Sequence, residues 1–296
     1  ISFGNSGWSI TPSLNADHIS IKPEVDNTAV AGTQNYSKTA VGGGLAVAYQ
    51  INPKHHLNLS YRHATRLPAY GETNGQNYGH WIGKPNPDLR PETAQGVELV
   101  WSSKGKYGSQ QTTLFYDEYQ DMIAWTFNGF NTPTAELWLY NETGKTTGYG
   151  IEWTGKTKLD FLNLTDGLSL QGSFAYIDGK GYNGQNRAKL DPFNGSLALN
   201  YDQPNDVWGL STKVRFAAAK KAKDLPSTVP PLKGHETVDL TAYVNINKQL
   251  RLNVGVHNLF NERYARWANV RGLSLTDYTP YYEAGRYFTA NLNYRF

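Results

Sequence analysis

The end of the chain alternates. Phe288, Ala290, Leu292, Tyr294 and Phe296 are apolar, and Thr289, Asn291, Asn293 and Arg295 between them are polar. A strand sends successive side chains to opposite faces, so this segment carries one apolar wall and one polar wall. The period recurs upstream in Leu252, Val254 and Val256; in Val238, Leu240, Ala242, Val244 and Ile246; in Trp208, Leu210, Thr212, Val214 and Phe216; and in Leu197, Leu199 and Tyr201. Leu168, Leu170, Phe174 and Tyr176, then Tyr149, Ile151 and Trp153, then Val97, Leu99 and Trp101, then Leu57, Leu59 and Tyr61 repeat it. No comparable stretch holds a period of 3.6, so the fold class read from the pattern is all-β.

The alternation predicts twelve strands, at roughly 5–22, 37–51, 55–65, 92–103, 110–125, 136–160, 167–181, 191–202, 207–221, 234–246, 250–262 and 285–296. Short links (52–54, 104–109, 161–166, 203–206, 247–249) alternate with longer ones (23–36, 66–91, 126–135, 182–190, 222–233, 263–284). The short links carry turn residues: Asn52-Pro53, Thr165-Asp166-Gly167, Gln203-Pro204-Asn205-Asp206 and Asn247-Lys248. Short turns on one side and long loops on the other are the pattern of an antiparallel transmembrane β-barrel. A soluble β-sandwich, the competing all-β reading, supplies no cause for that asymmetry. In a wide barrel the polar wall (Asn58, Ser60, Arg62; Lys213, Arg215; Thr289, Asn291, Asn293, Arg295) points into a wet lumen and the apolar wall meets lipid. Tyr61, Trp101, Tyr176, Tyr201, Trp208 and Tyr294 are candidates for the interfacial aromatic girdles.

Composition agrees and excludes other classes. Twenty Tyr, eight Trp and 29 Gly with a single Met suit β structure. No run reaches about 18 apolar residues, which excludes a spanning helix but not a barrel, whose lipid-facing residues are only every second one. The 28 basic against 25 acidic side chains, net +3, argue against a nucleic-acid partner. Without cysteine there is no disulfide or thiolate metal site. No Gly-rich phosphate loop, G-x-S-x-G elbow or His/Ser/Asp set nominates catalysis, so the expectation is a protein that is not an enzyme. The chain opens at Ile1 with no basic and apolar leader, which leads to the expectation of a mature or truncated product.

Several motifs together resemble the TonB-dependent outer-membrane transporters. Asn86-Pro87-Asp88-Leu89-Arg90-Pro91-Glu92-Thr93 is similar to that family's loop-to-strand motif, with Asp88 in place of a second Asn. Tyr119-Gln120-Asp121-Met122-Ile123, Tyr140-Asn141-Glu142-Thr143-Gly144-Lys145 and Gly150-Ile151-Glu152 resemble its strand boxes. Asn258-Leu259-Phe260-Asn261-Glu262-Arg263-Tyr264 resembles its penultimate-strand box, and Gly285-Arg286 through Phe296 its closing strand, whose last aromatic is an assembly signal in that family. Within the family, Trp267-Ala268-Asn269-Val270-Arg271-Gly272-Leu273 and Arg66-Leu67-Pro68 lean toward the haem and haemoglobin receptors, although Thr65 and Leu67 depart from the second box.

The resemblance implies outer-membrane receptor function in a Gram-negative bacterium, with energy-coupled uptake of an iron-containing ligand: haem, a haemoprotein or a ferric chelate. It implies contact with outer-membrane lipid and lipopolysaccharide, and with the inner-membrane TonB protein through a plug. In the haem receptors the loop between the two boxes carries an axial His. The one histidine of loop 66–91 is His80, between Tyr78 and Trp81, so His80 as iron ligand with Tyr78, Trp81 and Arg66 around it is the candidate site. The alternative is a solvated His80 beside an interfacial Trp81. Haem would be cargo, and no intrinsic cofactor is expected. A barrel of this family has about 22 strands, so the twelve here correspond to its C-terminal part, with plug and earlier strands upstream. Rival readings are a ferric-siderophore receptor, or a self-contained twelve-stranded diffusion pore or outer-membrane enzyme. His55-His56 fall beside a short turn and read as surface residues, and Asp117, Glu118 and Asp121 as solvated lumen charges. Lys220-Lys221-Ala222-Lys223 reads as a solvated outer loop or a contact for outer-leaflet phosphates.

Overall fold

The structure, a computed structural model, describes residues 2–3, 7–23, 34–77, 82–128, 135–182, 190–273 and 277–295. The alternating segments form β1 (Ser2–Phe3), β2 (Trp8–Ile21), β3 (Tyr36–Asn52), β4 (His55–Arg66), β7 (Glu92–Lys104), β8 (Gly108–Gln120), β11 (Lys145–Lys158), β12 (Leu168–Lys180), β13 (Asn194–Asp202), β14 (Trp208–Ala217), β15 (His235–Asn245), β16 (Leu250–His257) and β17 (Tyr287–Tyr294). Between them lie β5 (Gln76–Asn77), β6 (Ile82–Gly83), β9 (Ile123–Asn128), β10 (Glu136–Asn141) and two single-turn helices, α1 (Tyr70–Thr73) and α2 (Trp267–Val270). The first group makes one antiparallel sheet in the order β1-β2-β3-β4-β7-β8-β11-β12-β13-β14-β15-β16-β17. Its twelve long strands are the twelve read from the alternation.

Register aligns the two walls. Leu45 faces Tyr61 and Val47 faces Leu59 across β3 and β4, while Leu59, Leu99, Leu114 and Ile151 form one row across β4, β7, β8 and β11. Burial is inverted relative to a soluble sheet. Leu59, Leu114, Leu197 and Val254 are 45–49% exposed, whereas Thr237, Asp239 and Ser169 on the polar wall are 3–4% exposed. Such a wall is stable only where its outside meets hydrocarbon. The six proposed girdle residues all lie on the apolar wall. Near the short turns, rings pair along it: Trp8 with Tyr49 at 4.2 Å between centroids, Tyr201 with Trp208 at 5.0 Å.

The short turns close by local side-chain acceptors. Asn52 Oδ1 takes the Lys54 and His55 amides, Gln203 Oε1 those of Asn205 and Val207, and Asn247 Oδ1 those of Gln249 and Leu250. These residues stop a strand because their side chains offer the backbone a competing partner. Gly167 sits at φ 94° with the Asp202 carbonyl 1.9 Å from where a Cβ would be, so only glycine fits that turn.

Two expected strands are broken, and two others, 207–221 and 250–262, end early at Ala217 and His257. The segment 110–125 breaks at Asp121, which adopts φ 53°, and 136–160 breaks between Asn141 and Lys145. The pieces beyond each break, β9 and β10, form a hairpin that leaves the wall on the long-link side. There β10 also pairs in parallel with β6, completing a four-stranded sheet in the order β5-β6-β10-β9. Two-residue strands such as β5 and β6 carry no readable period, so this sheet is invisible in sequence.

Candidate functional site

On the long-link side, the motifs that resemble a known family resolve into clamps. Asn86 Nδ2 donates to the Leu139 carbonyl of β10 at 2.8 Å, and its Oδ1 accepts the Asp88 amide. The Arg90 amide donates to Asn141 Oδ1 at 2.8 Å, and Asn141 Nδ2 returns to the carbonyls of Arg90 and Asp121. The Arg90 guanidinium bridges to Asp121 at 2.5 Å, which is why its proton is held even more firmly than usual. Leu89, 1% exposed, lies between, and the Tyr36 hydroxyl donates to its carbonyl. The motif 86–93 thus fastens the link 67–91 to the β9–β10 hairpin, and Lys84 with Glu136 adds an ion pair at 2.9 Å. That pair, and the Trp138 indole N–H, hold the Glu136 carboxyl below the usual range.

Arg66 belongs to the same clamp. Its guanidinium spans Glu92, at 2.5 Å, and Glu72, at 2.9 and 3.1 Å. Glu92 also accepts the Ile123 amide, and Glu72 the Ala69 amide that opens α1. The Arg66 side chain is therefore committed to two carboxylates at the foot of the link, with Pro68 fully buried beside it. His80, Tyr78 and Trp81 lie outside the described residues. On either side of them, Gln76 pairs with Gly83 and Asn77 with Ile82. Among the described residues no group of three or more His, Asp or Glu is placed to hold a metal ion.

A second unit joins the links after β14 and β16. Trp267 and Val270 of α2, Ala265, Tyr278 and Leu232 form a buried cluster, with Leu225 and Val229 against it. The Tyr278 hydroxyl donates to the Pro230 carbonyl at 2.5 Å, and burial pushes its pKa up. Lys220 is not a solvated loop charge: it is 6% exposed, lies 5.5 Å over the Trp267 ring and donates to the Leu190 carbonyl. The Trp267–Leu273 motif therefore supplies the core of a small loop domain. Asn258, at φ 49°, takes Asp239 Oδ1 on its amide and reaches the carbonyls of Glu262 and Ala284, while Asn261 Oδ1 accepts the Arg286 amide at the entry to β17.

The remaining titratable candidates are also placed. Asp117 pairs with Arg62 on the polar wall, whereas Glu118 is not a lumen charge: it lies on the opposite face and pairs with Lys145. Asp121 is not a lumen charge but the αL residue held by Arg90. His55 stacks on Trp101, and His235 stacks on Tyr264. His257 stacks on Tyr287. Phe296 lies outside the described residues. Apart from Arg66–Glu72, six residues apart, these ion pairs join strands or links distant in the chain, where no local pattern shows them.

Residues 1–259 match the family described as TonB dependent receptor-like, beta-barrel. The chain is similar to haemoglobin-haptoglobin utilization protein B of Neisseria meningitidis, 29% identical over 255 residues, covering 74% of this chain and 31% of that protein. It is also similar to transferrin-binding protein A of Haemophilus influenzae, 27% identical over 297 residues, covering 83% and 31%. Among solved structures, the copper transporter OprC superposes with a TM-score of 0.76 at 16% identity, covering 99% of this chain and 46% of that one. The FrpB iron transporter of Neisseria meningitidis (F5-1 variant) superposes at 0.73 and 17% identity, covering 98% and 44%. The chain thus spans about a third of the length of the curated relatives it matches.

Proposed function

Because the chain belongs to the TonB-dependent receptor-like β-barrel family, we propose that it forms the C-terminal part of the wall and outer loops of an outer-membrane receptor for an iron-containing ligand, haem or haem delivered by a haemoprotein. The observation that carries this reading is the inverted wall: apolar side chains outward, polar side chains inward, short turns at one end and clamped links at the other. The plug and the remaining strands are assigned to sequence upstream. The twelve long strands end in β2 and β17, which do not pair with each other among the described residues, and an open edge in lipid leaves backbone groups unsatisfied. Uptake is driven from the inner membrane by TonB through the plug, because a passive site only shifts populations.

The haem assignment rests on His80 between Tyr78 and Trp81, in a link whose two ends are fastened by Arg66 and by the 86–93 clamp. Neutral imidazole is a ligand for haem iron, and Tyr78 and Trp81 beside it in sequence supply rings that can stack on a flat macrocycle. The relative named for haemoglobin-haptoglobin utilization supports a haemoprotein source. The test is a haem titration of the full-length receptor. A saturable Soret change that disappears in His80→Ala supports the reading. A ferric siderophore bound with no Soret response overturns it.

A further inference from the structure

Six neighbouring wall strands carry a single row of residues on the polar wall. Lys104 on β7 faces Ser109 on β8, Ser109 faces Lys156 on β11, Lys156 faces Gln171 on β12, Gln171 faces Ala198 on β13, and Ala198 faces Lys213 on β14. The row climbs. Lys104 closes β7 at a short turn, while Ser109, Lys156, Gln171, Ala198 and Lys213 stand one, two, three, four and five residues above the turn ends of their strands. That stagger is what tilted barrel strands impose. At 3.3–3.4 Å per residue it amounts to about 17 Å along the strand direction. Strand spacing sets Lys104 about 10 Å from Lys156, and Lys156 about 14 Å from Lys213, backbone to backbone.

All six residues line one hollow of about 880 Å³ whose lining holds three lysines, His56 and neutral polar groups, and no carboxylate. On the same wall Arg62 is matched by Asp117 and Arg215 by Asp239, while Arg251 lies over the Tyr243 ring. Among the described residues none of the three row lysines forms an ion pair. Asp239 faces Lys213 across the ladder but is already engaged by Arg215, His257 and the Asn258 amide. Glu152 stands four residues up β11 from Lys156, about 13 Å away. Unmatched cations of one sign along a concave wall concentrate counter-ions. Spaced cations with a hydroxyl and an amide between them offer successive weak contacts, which pass an ion along without trapping it.

We propose that this row is an anion ramp, a series of oxyanion contacts that guides a multivalent carboxylate- or phosphate-bearing cargo between the middle of the lumen and the short-turn mouth. It rests on the reading of the polar wall as a wet lumen and is independent of which ligand the outer loops capture.

The test is amine acylation of the full-length receptor in outer-membrane vesicles, read lysine by lysine by mass spectrometry, with citrate and pyrophosphate as probes and sucrose as the neutral control. At ten times the half-protecting concentration of either anion, acylation of Lys104, Lys156 and Lys213 should slow about tenfold, as single-site occupancy requires. Sucrose should leave it unchanged, and Lys54 and Lys248 in the turns should not respond. Protection by only one of the two anions identifies whether carboxylate or phosphate is preferred within the same proposal. Lys156→Gln should weaken protection at both other lysines, and Lys156→Arg should retain it. Absence of anion protection overturns the ramp. So do lysines that resist acylation without any probe, which would assign the row to contact with another part of the protein. Either result leaves the haem assignment standing, because no haem enters the assay.

Discussion

Replacing Leu114 by Arg tests the inverted wall directly. Leu114 is six residues above the turn end of β8, in an outward row with Leu59, Leu99 and Ile151. Six residues span about 20 Å of strand. With a tilt near 40° that is about 15 Å of height, close to the middle of an apolar band of about 25–30 Å. An arginine at the midplane on the lipid face costs about 2–4 kcal/mol, or about 30- to 700-fold in the folding equilibrium. Thr113→Arg is the control. It moves the charge one residue, to the polar wall beside Glu152 and Val100, where water and a carboxylate receive it. The assay is reversible unfolding of the full-length receptor in lipid vesicles, followed by tryptophan fluorescence and by heat-modifiable gel mobility. Were the wall solvated on both sides, Leu114, already 45% exposed, would tolerate arginine within about 0.5 kcal/mol. Equal costs for the two variants, or a cost below that limit for Leu114→Arg, would refute the assignment of faces.

Four further outcomes are expected. Asn141→Ala strands the Arg90 amide and two carbonyls and should weaken the link clamp by about 1–3 kcal/mol, read as faster hydrogen exchange in β9 and β10 with the wall strands unchanged. Trp267→Ala removes the centre of the loop core, with a local cost of about 3–5 kcal/mol, and should open both 218–234 and 258–286 to protease together; cleavage in one link alone would argue against a shared core. Gly96→Ala places a Cβ 2.2 Å from Asp117 Oδ1 and 3.1 Å from Arg62 Nε, so the Arg62–Asp117 bridge across β7 should be lost, and a double-mutant cycle with Asp117→Asn should show coupling. Glu136 has its pKa held below its ordinary 4.5 by Lys84, so its contribution is full above that pH and is lost as pH falls through the lowered value; hydrogen exchange in β10 should quicken on acidification in the wild type and be less pH-sensitive in Lys84→Met.

The family resemblance was strong in sequence, but the work done by its motifs was not. Asn-Pro-Asp-Leu-Arg-Pro-Glu reads as a signature, yet its physical role needs Asn141, Asp121 and Leu139, some 30 to 50 residues away, to receive its hydrogen bonds. Arg66 reads as part of a ligand box, and its guanidinium is taken up by Glu72 and Glu92. Lys220 reads as a loop charge because nothing local announces the Trp267 ring that covers it.

Period-two alternation and the length of each link were enough to set the strand count, the two faces and the side on which the links lie, because each depends only on near neighbours along the chain. Where the β9–β10 hairpin leaves the wall, which charges meet, and that three lysines fall on one climbing row were decided by register. Register brings together residues that no local rule connects, and it exists only once the strands have paired.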